Sequence, residues 1–213
     1  MNAYPHAVFL ALTLGAASVG ALHSLAPDHW VPFAALARAR GWTVLRTARV
    51  TLLCGFGHVT VSAALGLLAL WFGLETLKLV GERLEAVAGI LLIAFGLAYG
   101  IWGLRKAMSD RLHHHSDVDP EKTSVWALFL LFSADPCVAV LPLLFAAAPL
   151  GAARAAVVVV TYELATLAAM LCLVLLARAG VERLHAHWLD HWGDASAGGL
   201  IAAVGVAVAV LGW

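Results

Sequence analysis

Apolar positions along this chain come in long unbroken runs, not at the three- to four-residue spacing of a helix that lies on a soluble core. Runs near Val8 to Ala37, Val50 to Phe72, Ala86 to Leu104, Val125 to Ala147, Ala155 to Ala177 and Ala197 to Trp213 have the length to cross a bilayer. A helix needs roughly 20 residues to span about 30 Å of hydrocarbon. The pattern predicts an all-α membrane protein with about six transmembrane helices. The first run is too long for one straight crossing and holds Pro27 and Pro32; the fourth holds Pro136. Both are expected to break at proline, which has no N–H to give and clashes with the preceding turn.

Composition sharpens this reading. Hydrophobic residues make up 62% of the chain and charged residues 12%, against about a quarter charged in a soluble domain. The 13 basic and 13 acidic residues cancel, which excludes the concentrated basic face of a nucleic-acid binder. Cys54, Cys137 and Cys172 lie in apolar runs without regular spacing, so neither a disulfide framework nor a zinc ribbon is expected. The leader MNAYPH lacks Lys and Arg, and the first run reads as a retained helix, not a signal peptide. Counting by alternation, Arg38, Arg40, Arg46, Arg49, Arg105, Lys106, Arg111, Lys122, Arg178 and Arg183 share one side of the membrane. Lys78, Arg83 and Arg154 face the other. The positive-inside rule then puts both termini outside and the loop holding His113, His114 and His115 in the cytoplasm.

The two halves match weakly. HSLAPDHWVP aligns with FSADPCVAVLP, pairing Pro27 with Pro136 and Asp28 with Cys137; Arg49 precedes His58 by the same interval as Arg154 precedes Glu163; GERLE answers VERLH. The chain divides into a first three-helix repeat (1–104), a polar loop (105–123) and a second three-helix repeat (124–213). An odd number of crossings per repeat inverts the second copy, the logic of many transporters.

An ionisable group deep in a span costs about 2.5 to 3.5 kcal/mol on insertion scales, so a cluster of them needs a compensating role. His23, Asp28 and His29 form H-x4-D-H in the first run, and His58 lies in the second between Gly57 and Thr60. On an unbroken helix, positions five and six apart are turned by about 140° and 240°, so His23 could not share a face with Asp28 and His29. A break at Pro27 lets them converge. Imidazoles with a carboxylate suit nickel, cobalt, zinc or iron(II), whereas calcium and magnesium prefer oxygen cages. Asp135, Cys137 and Glu163 are the second repeat's candidates for further ligands or a proton relay, and one site shared between the repeats is feasible. His113, His114 and His115 read as weak cytoplasmic metal capture. LHAHWLDHW, with His185, His187, Asp190 and His191, reads as an interfacial helix.

GALHSLAPDHW followed by GFGHVT resembles the signature of the nickel/cobalt transporters, including the efflux and urease-accessory permease branches. The resemblance covers mainly the first two runs and implies that His23, Asp28, His29 and His58 line a transition-metal path. SADPCVAVLPLL resembles the proline-cysteine helix of the thiol-disulfide carriers of the wider superfamily, but Asp28 stands where the paired cysteine belongs. The expectation is a multi-pass protein of the bacterial inner membrane, with periplasmic termini, that moves a divalent metal ion. It has no tightly bound cofactor, and its partners are the lipid bilayer, the metal ion and a metallochaperone. No H-E-x-x-H helix marks a metal hydrolase. Two rivals use the same residues differently: a thiol-disulfide electron carrier working through Cys137, and an exporter of a non-metal solute in which the histidines serve as polar glue.

Overall fold

The computed structural model describes residues 4–72, 74–108, 120–134, 139–182 and 187–211, and every element among them is helical. The first run is interrupted as α1 (Tyr4–His23) and α2 (Pro27–Ala39). Then come α3 (Val44–Phe72) and α4 (Leu74–Met108), the latter reaching well before the start expected from hydropathy. The fourth run is also divided, into α5 (Pro120–Ser133) and α6 (Val140–Ala147), with 135–138 outside the described residues. After a 3-10 turn at Ala148–Leu150 the chain ends in α7 (Ala152–Glu182) and α8 (His187–Leu211). Five stretches are long and apolar enough to cross a membrane: His6–His23, Val44–Leu68, Gly89–Met108, Ala152–Gly180 and Trp192–Val210. Their outward faces carry exposed Leu14, Phe56, Leu97, Leu164 and Val206, as a lipid-facing surface requires. The protein is an α-helical, multi-pass membrane protein.

Backbone chemistry explains where the first crossing comes apart. Pro27 cannot donate to the carbonyl of His23, which accepts from the Ala26 N–H instead (3.1 Å). Pro27 then starts α2 at a position where no N–H is needed. Pro32 was expected to loosen the chain as well; α2 instead runs through it, because the break at Pro27 already places it near the first turn. The helix stops at Gly41, whose φ of 59° closes a Schellman turn. In it Trp42 N–H reaches Ala37 O (2.9 Å) and Gly41 N–H reaches Arg38 O (3.2 Å). Thr43 caps α3 through its hydroxyl and the Arg46 N–H (3.2 Å).

The interrupted run still crosses as one unit. Arg154 near the start of α7 lies over Phe9 of α1 (5.9 Å), the Ser24 hydroxyl donates to Thr166 O at the break (3.1 Å), and Arg178 donates to Trp42 O beyond α2 (2.8 Å). Residues 9, 24 and 42 thus run parallel to 154, 166 and 178, over about 36 Å of α7. Gly20 permits this, since a Cβ there would strike the Tyr162 carbonyl and Thr166.

Arg178, Arg46 and Trp42 define one end of the bundle. At that end Asp194 of α8, though 8% exposed, accepts from Tyr99 (2.5 Å) and Lys106 (2.8 Å) of α4. Arg40 of α2 lies 3.4 Å from the same carboxylate and donates to the Tyr99 hydroxyl (2.6 Å).

α4 and α8 pack antiparallel along a seam of glycines. A Cβ on Gly198 would run into the backbone of Gly100, one on Gly96 into that of Ala202, and one on Gly205 into that of Ile93. Such close backbone approach replaces the hydrophobic drive that lipid does not provide. Gly198→Ala is therefore expected to destabilise the folded protein by about 1–3 kcal/mol or more. Gly199→Ala, which meets nothing within 4 Å, should leave thermal unfolding in detergent unchanged; equal melting of the two variants would contradict the seam.

Candidate functional site

Three imidazoles meet at the break. His23 is the last residue of α1, His29 lies in the first turn of α2, and His58 sits midway along α3. The rings of His23 and His29 have centroids 4.4 Å apart and those of His29 and His58 5.3 Å, both edge-on. One ligand-capable atom from each lies within 4.8 Å of the others. His29 and His58 are each only 2% exposed.

Two of the rings are oriented by acceptors. Nδ1 of His29 faces Oδ1 of Asp28 at 3.1 Å, and Nδ1 of His58 faces the carbonyl of Phe132 at 3.2 Å. A carbonyl has no proton to give, and an ionised carboxylate has none either. Each Nδ1 therefore carries the proton and donates, and Nε2 is the nitrogen each ring has to offer a cation. This is the arrangement by which outer partners fix the tautomer of a metal-binding histidine. Nε2 of His23 and Nε2 of His58 are buried and have no hydrogen bond within the described protein. A buried polar atom left so costs about 1–3 kcal/mol and asks for an explanation.

The Phe132 carbonyl is available because of the sequence after it. Pro136 stands four residues on and cannot supply the helical N–H, so the end of α5 turns an orphaned carbonyl onto α3. Gly57 makes room, since a Cβ there would strike the Ser133 hydroxyl and the Phe129 ring. The C-termini of α1 and α5, the electronegative ends of their dipoles, thus converge on the imidazoles and favour a cation. The N-terminus of α2 opposes it, and the acidic group in its first turn is Asp28. The Phe132 ring closes one side, 5.8 Å from His29 and 5.6 Å from His58, and is backed by fully buried Phe33 at 4.8 Å.

Of the residues singled out from sequence, His23, His29 and His58 come together and Asp28 (5% exposed) supports them through His29. Glu163 does not join them. It lines a separate cavity between α3, α6 and α7, so the reading of a single shared site is corrected for this residue. The repeat match equated His58 with Glu163, but His58 meets the break between α1 and α2 whereas Glu163 faces α6, beyond the break in the fourth run. Asp135, Cys137, His113, His114 and His115 lie outside the described residues. Cys54 is buried and Cys172 exposed, and both are free thiols. The Phe132 carbonyl, the Phe33 and Phe132 walls and the Asp194 network were not foreseen. Pro136 could have pointed to the first, whereas nothing local points to the others.

The fold and site together define a multi-pass helical membrane protein with a buried three-imidazole cluster. Comparisons with protein-family models, with curated proteins and with solved structures give no match to this chain.

Three neutral imidazoles can bind a borderline divalent cation. A tetrahedral ion with bonds of about 2.0–2.1 Å needs nitrogens about 3.4 Å apart, so the three rings, whose ligand atoms lie within 4.8 Å of one another, must draw together on binding. Nitrogen-15 NMR of histidine-labelled protein should show His29 and His58 with the proton on Nδ1. Nε2-protonated rings would contradict the assignment.

Proposed function

We propose that this protein moves a divalent transition-metal ion, nickel or cobalt first and zinc or iron(II) next, across the bacterial inner membrane through His23, His29 and His58. The observation that carries the proposal is the convergence of three buried imidazoles, two of them oriented at Nδ1, on a break in a transmembrane crossing. Asp28 orients His29 and contributes negative charge. Discontinuous helices whose ends meet near the midplane are the usual way for transporters to bind an ion in lipid. The resemblance of GALHSLAPDHW and GFGHVT to nickel/cobalt transporters points to the same cargo.

Alternating access by two inverted repeats suits the packing. α3 and α7 run antiparallel, with Gly55 against Leu167 and Met170, and so do α4 and α8. The broken run α1–α2 lies along α7, and α5 packs on α3, the exchange that an in-plane twofold axis generates. Arg40, Arg46, Lys106 and Arg178 gather at one end. By the positive-inside rule that end is cytoplasmic and the termini periplasmic. A metallochaperone would meet the protein at the cytoplasmic end, where His113, His114 and His115 belong in the sequence.

In proteoliposomes, His58→Ala or His23→Ala should abolish saturable nickel or cobalt flux. Asp28→Asn, which keeps the shape and removes the charge, should weaken ion affinity about 10- to 100-fold. Each imidazole binds metal only when neutral, so protons compete, and affinity must fall as pH falls, by up to three protons per ion. Wild-type flux in the histidine variants would overturn the proposal.

A further inference from the structure

A cavity of about 290 Å³ opens between α3, α6 and α7, walled by Ala63, Gly66, Val140, Leu144 and Val159. Among the described residues Glu163 is its one ionisable lining residue. Oε1 of Glu163 is buried and has no hydrogen-bond partner among the described residues, although an acid in such walls is costly to place. Leu144 and Val159 are aliphatic, and none of the wall residues on α3 or α6 carries a charge to neutralise it. The group therefore faces space, not a protein partner.

The position of this cavity relative to the imidazoles gives it a use. Gly55 of α3 lies against Leu167 and Met170, and the two helices are antiparallel. Ala63, which lines the cavity with Glu163, is thus about 7 Å further along α3 than His58, and Glu163 comes level with the turn of α3 between them. Ala152 and Ala155 carry the lining on toward the end where Arg154 lies. On the other side of the imidazoles, toward the basic end, Phe33 (0% exposed), Leu36 (0%) and Trp42 (2%) are buried, and the cavity found there, of about 280 Å³ between α2, α7 and α8, carries Arg38 where the first carries Glu163, a charge that repels a cation. One turn of α3, with Val59 and buried Ser62, separates His58 from the cavity. The volume fits a cation that keeps its water: six molecules at about 30 Å³ each fill roughly 180 Å³.

We infer that the α3–α6–α7 cavity is the vestibule through which the divalent ion reaches the imidazoles from the Arg154 end, and that Glu163 is a transient ligand that takes the hydrated ion there. This deepens the transport reading and rests on it. The carboxylate supplies the charge that draws the ion into an apolar passage; the imidazoles then replace its water. Glu163 is thereby distinct from the three-imidazole site and needs only to be loaded in transit.

The test compares wild type, Glu163→Gln, Glu163→Asp and Ala156→Trp, the last filling the vestibule. Bound cobalt(II) is read by its visible absorption in detergent, and initial cobalt uptake is read in proteoliposomes. All four are expected to show the same absorption and stoichiometry at equilibrium. Glu163→Gln and Ala156→Trp should slow uptake at low cobalt about tenfold or more, with Glu163→Asp restoring part of it. Wild-type uptake by Glu163→Gln would overturn the inference and leave a vestibule filled by lipid. A changed cobalt spectrum in that variant would also overturn it, by making Glu163 a member of the imidazole site. Absence of cobalt binding by the wild type itself would instead remove the transport reading, and the vestibule with it.

Discussion

Hydrocarbon offers a backbone no hydrogen-bond partner, so a transmembrane helix can be interrupted only where something else accepts or donates. Proline enforces such an interruption by removing a donor. Here the constraint acts at two places that meet. Pro27 ends the first helix at His23, whose carbonyl turns to Ala26. Pro136 has no N–H to offer the Phe132 carbonyl, and His58 takes that carbonyl up. The polar groups that the breaks release orient the site, so the irregular backbone and the imidazole cluster account for each other.

Packing around the break keeps it from spreading. Ser24 and Gly20 tie the interruption to Thr166 of α7, and the Schellman turn at Gly41 fixes the far end of α2. Asp194 then joins Arg40, Tyr99 and Lys106, binding α2 to the α4–α8 pair. The α4–α8 seam is held by backbone proximity and does not depend on the imidazoles. The molecule thus has a closely packed pair of long helices and a second region in which short helices end against a ligand-capable cluster.

Several of these features were legible in the chain. H-x4-D-H cannot share one helical face, so its presence in an apolar run already demanded a break, and Pro27 located it. His58, flanked by Gly55 and Gly57, could be matched to that break because small residues admit close neighbours. The separation of Glu163 from His58 could not be read, because the repeat match compares positions along the chain, not the faces they turn to. Hydropathy alone reported the fourth run as one apolar stretch; Pro136 was the signal that it divides, into α5 and α6. Asp194 follows the polar stretch LDHWG and reads as a solvated residue; only the arrival of Arg40 and Lys106 from other helices makes it a buried anchor. Cross-chain partners of this kind leave no local signal.

In the proposed function three imidazole nitrogens gather around one cation inside the membrane. X-ray absorption at the metal edge of nickel- or cobalt-loaded protein reads this directly. Three nitrogen neighbours at about 2.0–2.1 Å with the multiple scattering of imidazole rings are expected. A shell of oxygen alone, or sulfur at about 2.3 Å, would contradict it.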